Sequence, residues 1–104
     1  MKEDAKCILV VTAEIDPEKE EAWNEWYNKK HLPDILECPG WYEARRYRRV
    51  AGDGGTQYIA IYVVENEHIF ESELFKQRAG WGEFEGLVKK VTNTFYYEIY
   101  EAVR

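Results

Sequence analysis

Four segments of the chain carry the apolar pattern of β-strands. Residues 7–14 are apolar or small at almost every position, which is typical of a strand buried on both faces. Residues 41–50 and 57–65 alternate in strand fashion, and the glycine-rich stretch 52–55 between them predicts a turn, so the two segments predict a hairpin. A final strand is predicted from about residue 92 to residue 103, where apolar and aromatic residues occur on both faces.

A helix is predicted after the first strand. Asp16 can cap it, and Pro17 suits its first position. Its apolar residues recur at one-, three- and four-residue steps and form one stripe that must face a sheet: Ala22, Trp23, Trp26 and Tyr27. We expect the helix to run to about Lys30 and to break before Pro33, because proline disfavours helical geometry in the residue before it.

The second helical segment covers residues 67 to about 90, with an interruption predicted at Gly80 and Gly82. These glycines would let Trp81 fold over a pocket mouth or the core. The element order is therefore β-α-β-β-α-β, an α+β ferredoxin-like fold with a four-stranded antiparallel sheet and two helices on one face. Several strands are apolar on both faces, so the uncovered face predicts a homodimer in which two sheets pack together.

Length and composition narrow the class of protein. The chain has 104 residues, so we expect a single domain over residues 1–104, without room for a separate cofactor domain. Its formal net charge of −6 argues against a nucleic-acid partner. No apolar run is long enough to span a membrane. The N-terminus lacks a signal-peptide pattern, and Cys7 and Cys38 form no CxxC pair, so we expect a cytoplasmic protein.

A motif in the middle of the chain resembles the signature of a known family. It consists of Trp26-Tyr27, His31, Pro33, Pro39-Gly40-Trp41 and the strand Ala44-Arg45-Arg46-Tyr47. This pattern, W-Y-x-x-x-H-x-P followed by P-G and an arginine-containing strand, resembles the EthD-like branch of the dimeric α/β-barrel superfamily. The resemblance implies ferredoxin-like protomers that dimerise through their sheets, with a pocket between the sheet and the helices of each protomer. It also implies that His31 faces this pocket, with Tyr27 one turn earlier.

His31 and Tyr27 are the candidate catalytic residues. An unperturbed imidazole pKa near 6.5 suits proton transfer around neutral pH. Tyr27 could donate a hydrogen bond to a substrate carbonyl or phenol, or it could belong to the core. The alternative for His31 is a cap on the helix C-terminus. Asp34 could orient the imidazole or could be a solvated surface carboxylate.

The candidate substrate-binding residues are Trp23, Arg46, Tyr58 and Tyr62. In the strand at residues 45–49, Arg46 and Arg48 share one face, and the other arginines share the opposite face. A guanidinium facing the pocket could bind a carboxylate or stabilise an enolate. The alternative is a charged strand that resists aggregation or pairs with the carboxylates of a second subunit. His31 and His68 lack metal-ligand spacing, so no metal site or cofactor is expected, although one histidine would suffice for haem.

These patterns predict a homodimer that binds a compact aromatic or lactone-like, anionic metabolite. As an enzyme it would be a cofactor-independent isomerase or cyclase with His31 as general acid or base. Two alternatives stay open: a non-catalytic ligand-binding or accessory protein, and a monooxygenase of the same superfamily. The superfamily also contains haem-associated enzymes, and the fold does not choose among these activities.

Overall fold

The computed structural model describes residues 6–103 and contains one antiparallel sheet with the strand order β2-β3-β1-β4. The strands are β1 (Cys7–Glu14), β2 (Trp41–Arg48), β3 (Tyr58–Val64) and β4 (Lys89–Tyr97). The helices are α1 (Pro17–Trp26), α2 (Leu32–Leu36) and α3 (Glu73–Arg78). A π-helical turn, Tyr27–His31, joins α1 to α2, and 3₁₀ turns at Ile69–Glu71 and Gly82–Phe84 flank α3. The predicted ferredoxin-like α+β fold is confirmed.

The two faces of the sheet differ in burial. On the helix-covered face, alternate residues of β1 and β3 form the core: Cys7, Leu9, Val11, Ala13, Tyr58, Ala60, Tyr62 and Val64. On the opposite face, the alternate residues of the same strands are only partly buried: Ile8, Val10, Thr12, Ile59, Ile61 and Val63. The strand register places Leu9 opposite Tyr62 in β3 and Phe95 in β4. The inner strand β1 therefore forms part of the sheet surface that faces the space between the sheet and the helices.

The helical backbone continues through Pro33, so the predicted break there is wrong. In an uninterrupted α-helix, the proline ring would clash with the carbonyl of Lys29 and its missing N–H would leave that carbonyl without a donor. The wider π turn accommodates the ring, and Leu32 donates its N–H to the carbonyl of Tyr27, five residues earlier. His31 consequently lies inside a continuous helical segment. The helix-capping interpretation of His31 is therefore wrong.

The second helical segment is much shorter than predicted. Only α3 is α-helical; it begins after Ser72, whose hydroxyl accepts a hydrogen bond from the N–H of Phe75. It ends before Gly80, whose φ of +105° is incompatible with a helix. Strand β4 begins at Lys89, inside the predicted helix, and ends at Tyr97, so residues 98–103 lie outside the sheet.

The first helix begins at Pro17 as predicted, but Asp16 does not cap it through its side chain. The Asp16 carboxylate instead accepts a hydrogen bond from Lys89 Nζ at 3.1 Å. This ion pair joins the start of α1 to the start of β4. Within residues 6–103, no helix is both long and apolar enough to cross a membrane.

Candidate functional site

A cavity of about 340 Å³ lies between the sheet and the helical layer. Its walls come from β1 to β4, from the π turn and α2, and from the segment around α3: Leu9, Val11, Tyr27, His31, Ile35, Trp41, Tyr62, Phe70, Phe75, Ala79, Gly80, Trp81, Val91 and Asn93. This volume is at the lower end of the range of small-molecule pockets. The cavity is thus large enough for a compact organic ligand.

Two buried tyrosines form a hydrogen-bonded pair on the cavity wall. The hydroxyl oxygens of Tyr27 and Tyr62 lie 2.9 Å apart. Within residues 6–103, each hydroxyl has only the other as a hydrogen-bond partner. One O···O contact uses one of the two hydroxyl hydrogens, so the pair retains one hydrogen for a ligand acceptor. Burial raises the pKa of both phenols, most strongly that of Tyr62, so both hydroxyls are protonated at neutral pH.

His31 lies beside this pair and is enclosed by aromatic rings. Its ring centroid lies 4.8 Å from that of Trp26, in a stacked arrangement, and 5.1 Å from that of Tyr27, edge to face. Trp81 approaches from another direction at 5.8 Å. Removal from water lowers the pKa of His31 to about 4, outweighing the opposite influence of Asp34. The imidazole is therefore neutral at physiological pH and able to accept a proton.

Asp34 does not orient the imidazole in this structure. Its carboxylate accepts a hydrogen bond from Lys30 Nζ at 3.1 Å, one helical turn earlier. Among the residues that the structure describes, none makes a hydrogen bond to the side chain of His31. Aromatic packing, rather than a carboxylate, fixes the position of the ring.

Three of the predicted substrate-binding residues, Trp23, Arg46 and Tyr58, do not line the cavity. Trp23 is fully buried and packs against the rings of Tyr27 and Tyr58. Tyr58 precedes Tyr62 by four residues in β3, which places it about 13 Å farther along the strand. Arg46 lies over the ring of Tyr27, with its guanidinium carbon 3.9 Å from the ring centroid. His31, Tyr27 and Tyr62 are thus the predicted site residues that the fold brings together at the cavity.

Three aromatic residues of the cavity wall, Trp41, Phe70 and Phe75, are not among the predicted site residues. Trp41 and Phe75 stack with their centroids 5.0 Å apart, and Phe70 stacks on Phe75 at the same distance. Trp41 belongs to the Pro39-Gly40-Trp41 motif, which was a usable signal. The phenylalanines had no such signal, because their contact with the cavity depends on how the segment around α3 folds over the sheet.

The cavity carries no formal charge. None of the described residues that line it is Asp, Glu, Lys or Arg. An anionic ligand would lose its hydration without gaining a cation, which is costly in an apolar site. The expectation of an anionic metabolite is therefore not supported, and the walls favour an uncharged aromatic molecule. Within residues 6–103, no cluster of three or more metal-ligating side chains is present.

Comparisons with known proteins agree with this fold. An ethyl tert-butyl ether D (EthD) family protein from Bacillus halodurans is 19% identical, with a TM-score of 0.68, over 90% of this chain and 99% of that chain. A monooxygenase of Streptomyces coelicolor, from the gene ActVA-Orf6 and in complex with nanaomycin D, is 18% identical, with a TM-score of 0.65, over 99% and 96% of the two chains. A dimeric ferredoxin-like protein from an uncultured marine organism is 12% identical, with a TM-score of 0.65, over 96% and 93%.

No curated protein matches the sequence. At these identities the solved structures establish the fold alone, and the expected ferredoxin-like fold, which this chain shares with an EthD family protein, is confirmed. One family, described as a domain of unknown function, DUF4286, matches residues 6–98. Because this match covers most of the chain, the protein belongs to the DUF4286 family.

Proposed function

We propose that the protein binds a compact, uncharged aromatic or lactone-like metabolite in the 340 Å³ cavity and transfers a proton on it without a cofactor. His31 takes a proton from a carbon or hydroxyl of the ligand and returns it to another atom of the same ligand, so the reaction consumes no acid or base. The Tyr27–Tyr62 pair donates a hydrogen bond to the ligand oxygen on which negative charge develops. The reaction class is an isomerisation or cyclisation through an enolate or phenolate.

The observation that carries this proposal is the placement of a neutral imidazole and a buried hydroxyl pair on one cavity wall. With a pKa of about 4, His31 is available as a base at neutral pH. The same low pKa makes it a weak base, so the proton must come from a ligand whose anion is stabilised in place. The Tyr27–Tyr62 pair has one hydroxyl hydrogen that it does not use internally. This hydrogen stabilises the anion by donating a hydrogen bond to it, as the donors of an oxyanion hole do.

The ligand's ring system would contact the adjoining aromatic wall, where the ring centroid of Trp41 lies 5.2 Å from that of Tyr62. Trp41, Phe70 and Phe75 form one stacked group there. Aromatic faces bind flat ring systems by offset or edge-to-face contact, at little cost in side-chain entropy. This wall supports an aromatic ligand over an extended aliphatic chain.

The proposal includes a homodimer formed through the uncovered sheet face. That face carries a row of partly buried branched side chains, including Ile59, Ile61 and Val63. Packing against a second copy would remove them from water. The dimeric relative of the same fold supports this arrangement. The two unpaired cysteines, Cys7 and Cys38, support a reducing, cytoplasmic location.

A monooxygenase activity is the second candidate. The neighbour from Streptomyces coelicolor is a monooxygenase, and its structure contains nanaomycin D. Proton abstraction from a phenolic ligand by His31 would generate a phenolate, the form most readily oxidised by O₂. Oxygen consumption during turnover distinguishes this activity from isomerisation, which consumes none.

The test compares the wild-type protein with His31→Phe and His68→Phe. The first variant keeps a ring on Trp26 but removes the base, and the second is a matched control because the side chain of His68 is 66% exposed. A thermal-shift screen against lactones, phenols and polyketide-like aromatics identifies the ligand class by a rise of several degrees in Tm. Turnover of that ligand should be lost in His31→Phe and retained in His68→Phe.

Two results would contradict the proposal. If His31→Phe turns over the identified ligand as fast as the wild type, His31 is not the base. If a ligand binds tightly but is never converted, the protein is a non-catalytic binding or accessory protein.

A further inference from the structure

Arg46 is held over the ring of Tyr27 by two asparagines. Its guanidinium donates to Oδ1 of Asn24 at 2.8 Å and to Oδ1 of Asn28 at 3.0 Å. The guanidinium carbon lies 3.9 Å from the centroid of the Tyr27 ring, well inside the range of a cation–π contact. Both asparagines belong to the same continuous helical segment as Tyr27, so the cation and the ring are fixed relative to each other.

The charge of Arg46 is not neutralised by a carboxylate within residues 6–103. Both of its hydrogen-bond acceptors are neutral amides. Glu20 ends the same side-chain network, but it accepts a hydrogen bond from the hydroxyl of Tyr58. Cations that are largely removed from water are normally paired with carboxylates. A guanidinium without a carboxylate partner thus retains its electric field, and of the rings of Trp23, Tyr27 and Tyr58 that surround it, that of Tyr27 is the closest.

A ligand in the cavity cannot touch Arg46 directly. The space beside the guanidinium, bordered by Trp23, Tyr27 and Tyr58, contains no volume that a water molecule could occupy. Tyr27 borders both this space and the 340 Å³ cavity. Val11 borders both spaces as well, but its side chain is apolar, so Tyr27 is the polar side chain that lies between the guanidinium and the cavity.

We infer that Arg46 is a positioning residue that acts on the ligand through Tyr27: its guanidinium favours negative charge on the Tyr27–Tyr62 hydroxyl pair and on a ligand oxygen bound to that pair. The inference rests on the proposed function and narrows its ligand class. The ligand is neutral when it enters and develops an oxyanion in the cavity, as a phenol or an enolisable ketone does. A ligand without such an oxygen would not be stabilised by the charge of Arg46.

The charge of Arg46 changes the pKa of Tyr27 in the direction that the inference requires. Burial raises the pKa of Tyr27 and Tyr62, and the charge of Arg46 acts against that rise in both. Among residues 6–103, the other titratable groups that face Tyr27 are Tyr62 from β3 and His31 from its own helical segment. Of these groups, Arg46 alone carries a formal charge at neutral pH.

The experiment places a trifluorotyrosine at position 27 of the full-length, ligand-free protein. Fluorination brings the phenol's titration into a range in which proteins stay folded, and fluorine NMR reports its ionisation at that single position. Titrations are compared in the wild-type background, Arg46→Met, Arg46→Lys and Arg45→Met. Arg45 is the matched control, because it is the adjacent arginine of β2 and its side chain is 69% exposed.

We expect Arg46→Met to shift the titration upward, Arg46→Lys to restore part of the difference, and Arg45→Met to leave it unchanged. A role confined to packing would not separate methionine from lysine, since both fill space and only lysine is charged. Equal titrations in the wild type and a folded Arg46→Met would overturn the inference. If Arg46→Met does not fold, Arg46→Gln removes the charge while keeping a hydrogen-bond donor, and the same comparison applies.

The part of the inference that concerns the ligand is tested with para-nitrophenol, because the absorbance of this phenol changes when it ionises. Its apparent pKa in saturating wild-type protein should lie below its value in saturating Arg46→Met. Equal values, or no binding, would contradict the oxyanion-forming ligand class. The titration at position 27 requires no ligand, so its outcome stands apart from the proposed function. A shifted titration without any turnover would leave the role of Arg46 intact and remove the proton-transfer proposal.

Discussion

The imidazole of His31 stacks on the indole of Trp26, with centroids 4.8 Å apart and planes 19° from parallel. The edge of Tyr27 and the ring of Trp81 enclose it further. These rings replace water around the imidazole without offering a carboxylate to stabilise its protonated form. The enclosure therefore explains why His31 is neutral at a pH where an exposed histidine is partly charged.

The first prediction concerns the titration of His31. Its imidazole resonances in proton NMR should titrate near pH 4, because burial lowers its pKa to about that value. The His68→Gln variant removes the other histidine and so assigns the signals. Replacing Trp26 with alanine should raise the pKa of His31 by readmitting water. Titration of His31 near 6.5, the ordinary value, would contradict the enclosure seen here.

The second prediction follows from the same lowered pKa of His31 and concerns the stability of the fold. Between about pH 6.5 and pH 4, the imidazole is protonated in the unfolded chain but neutral in the folded protein, so the unfolded state binds more protons. The free energy of unfolding should thus fall as the pH is lowered through this window, by roughly 3 kcal/mol at most. Urea denaturation of the wild type and His31→Phe over the window measures it. The variant should lose this part of the pH dependence, whereas identical dependence would refute the assignment to His31.

The third prediction concerns the buried tyrosine pair. Tyr27→Phe and Tyr62→Phe each leave the remaining hydroxyl without its partner, so each should lower the free energy of unfolding by about 1–3 kcal/mol. The double variant should cost less than the sum, because no buried hydroxyl is then orphaned. Chemical denaturation of all four proteins gives the coupling energy. Additive costs would show that the 2.9 Å contact contributes no net stability.

The fourth prediction tests the Pro39-Gly40 turn. Gly40 has φ +84°, and a Cβ there would lie 2.5 Å from Cδ1 of Ile69. Gly40→Ala should therefore destabilise the fold by about 2 kcal/mol, through both backbone strain and overpacking. Gly54 is a suitable control, since a Cβ there would meet no atom within 4 Å. Equal midpoints of urea unfolding for the two variants would count against this role of Gly40.

The fifth prediction tests the proposed dimer. Ile61→Lys places a charge at the centre of the uncovered sheet face and should convert the dimer to a monomer of about 12.4 kDa in sedimentation velocity experiments. Ile99→Lys is the control, because Ile99 is 72% exposed and lies beyond the end of β4. A wild-type protein that sediments as a monomer at micromolar concentration would contradict sheet-to-sheet packing.

The local pattern of apolar and polar residues was sufficient to predict the strands β1, β2 and β3. The bounds of β1 match the prediction, and those of β2 and β3 differ from it by at most two residues at either end. Successive side chains of a strand point to opposite faces of the sheet, so a strand shows a two-residue period. This period can be recognised in the sequence without knowledge of the tertiary structure. The motif around His31 likewise identified the residue that lines the cavity, together with Tyr27.

The path of the helix past Pro33, the length of α3 and the wall of phenylalanines were decided by tertiary structure. The π turn is one of several ways to accommodate a proline, and packing against the sheet selects among them. The position of Arg46 is the clearest case. Strand parity grouped it with Arg48 on one face of β2, but only the fold shows that this face is the helix-covered one and that the ring of Tyr27 separates its guanidinium from the cavity. Sequence thus determined the periodic structure and the chemical groups at hand, whereas long-range packing decided which of those groups share one cavity.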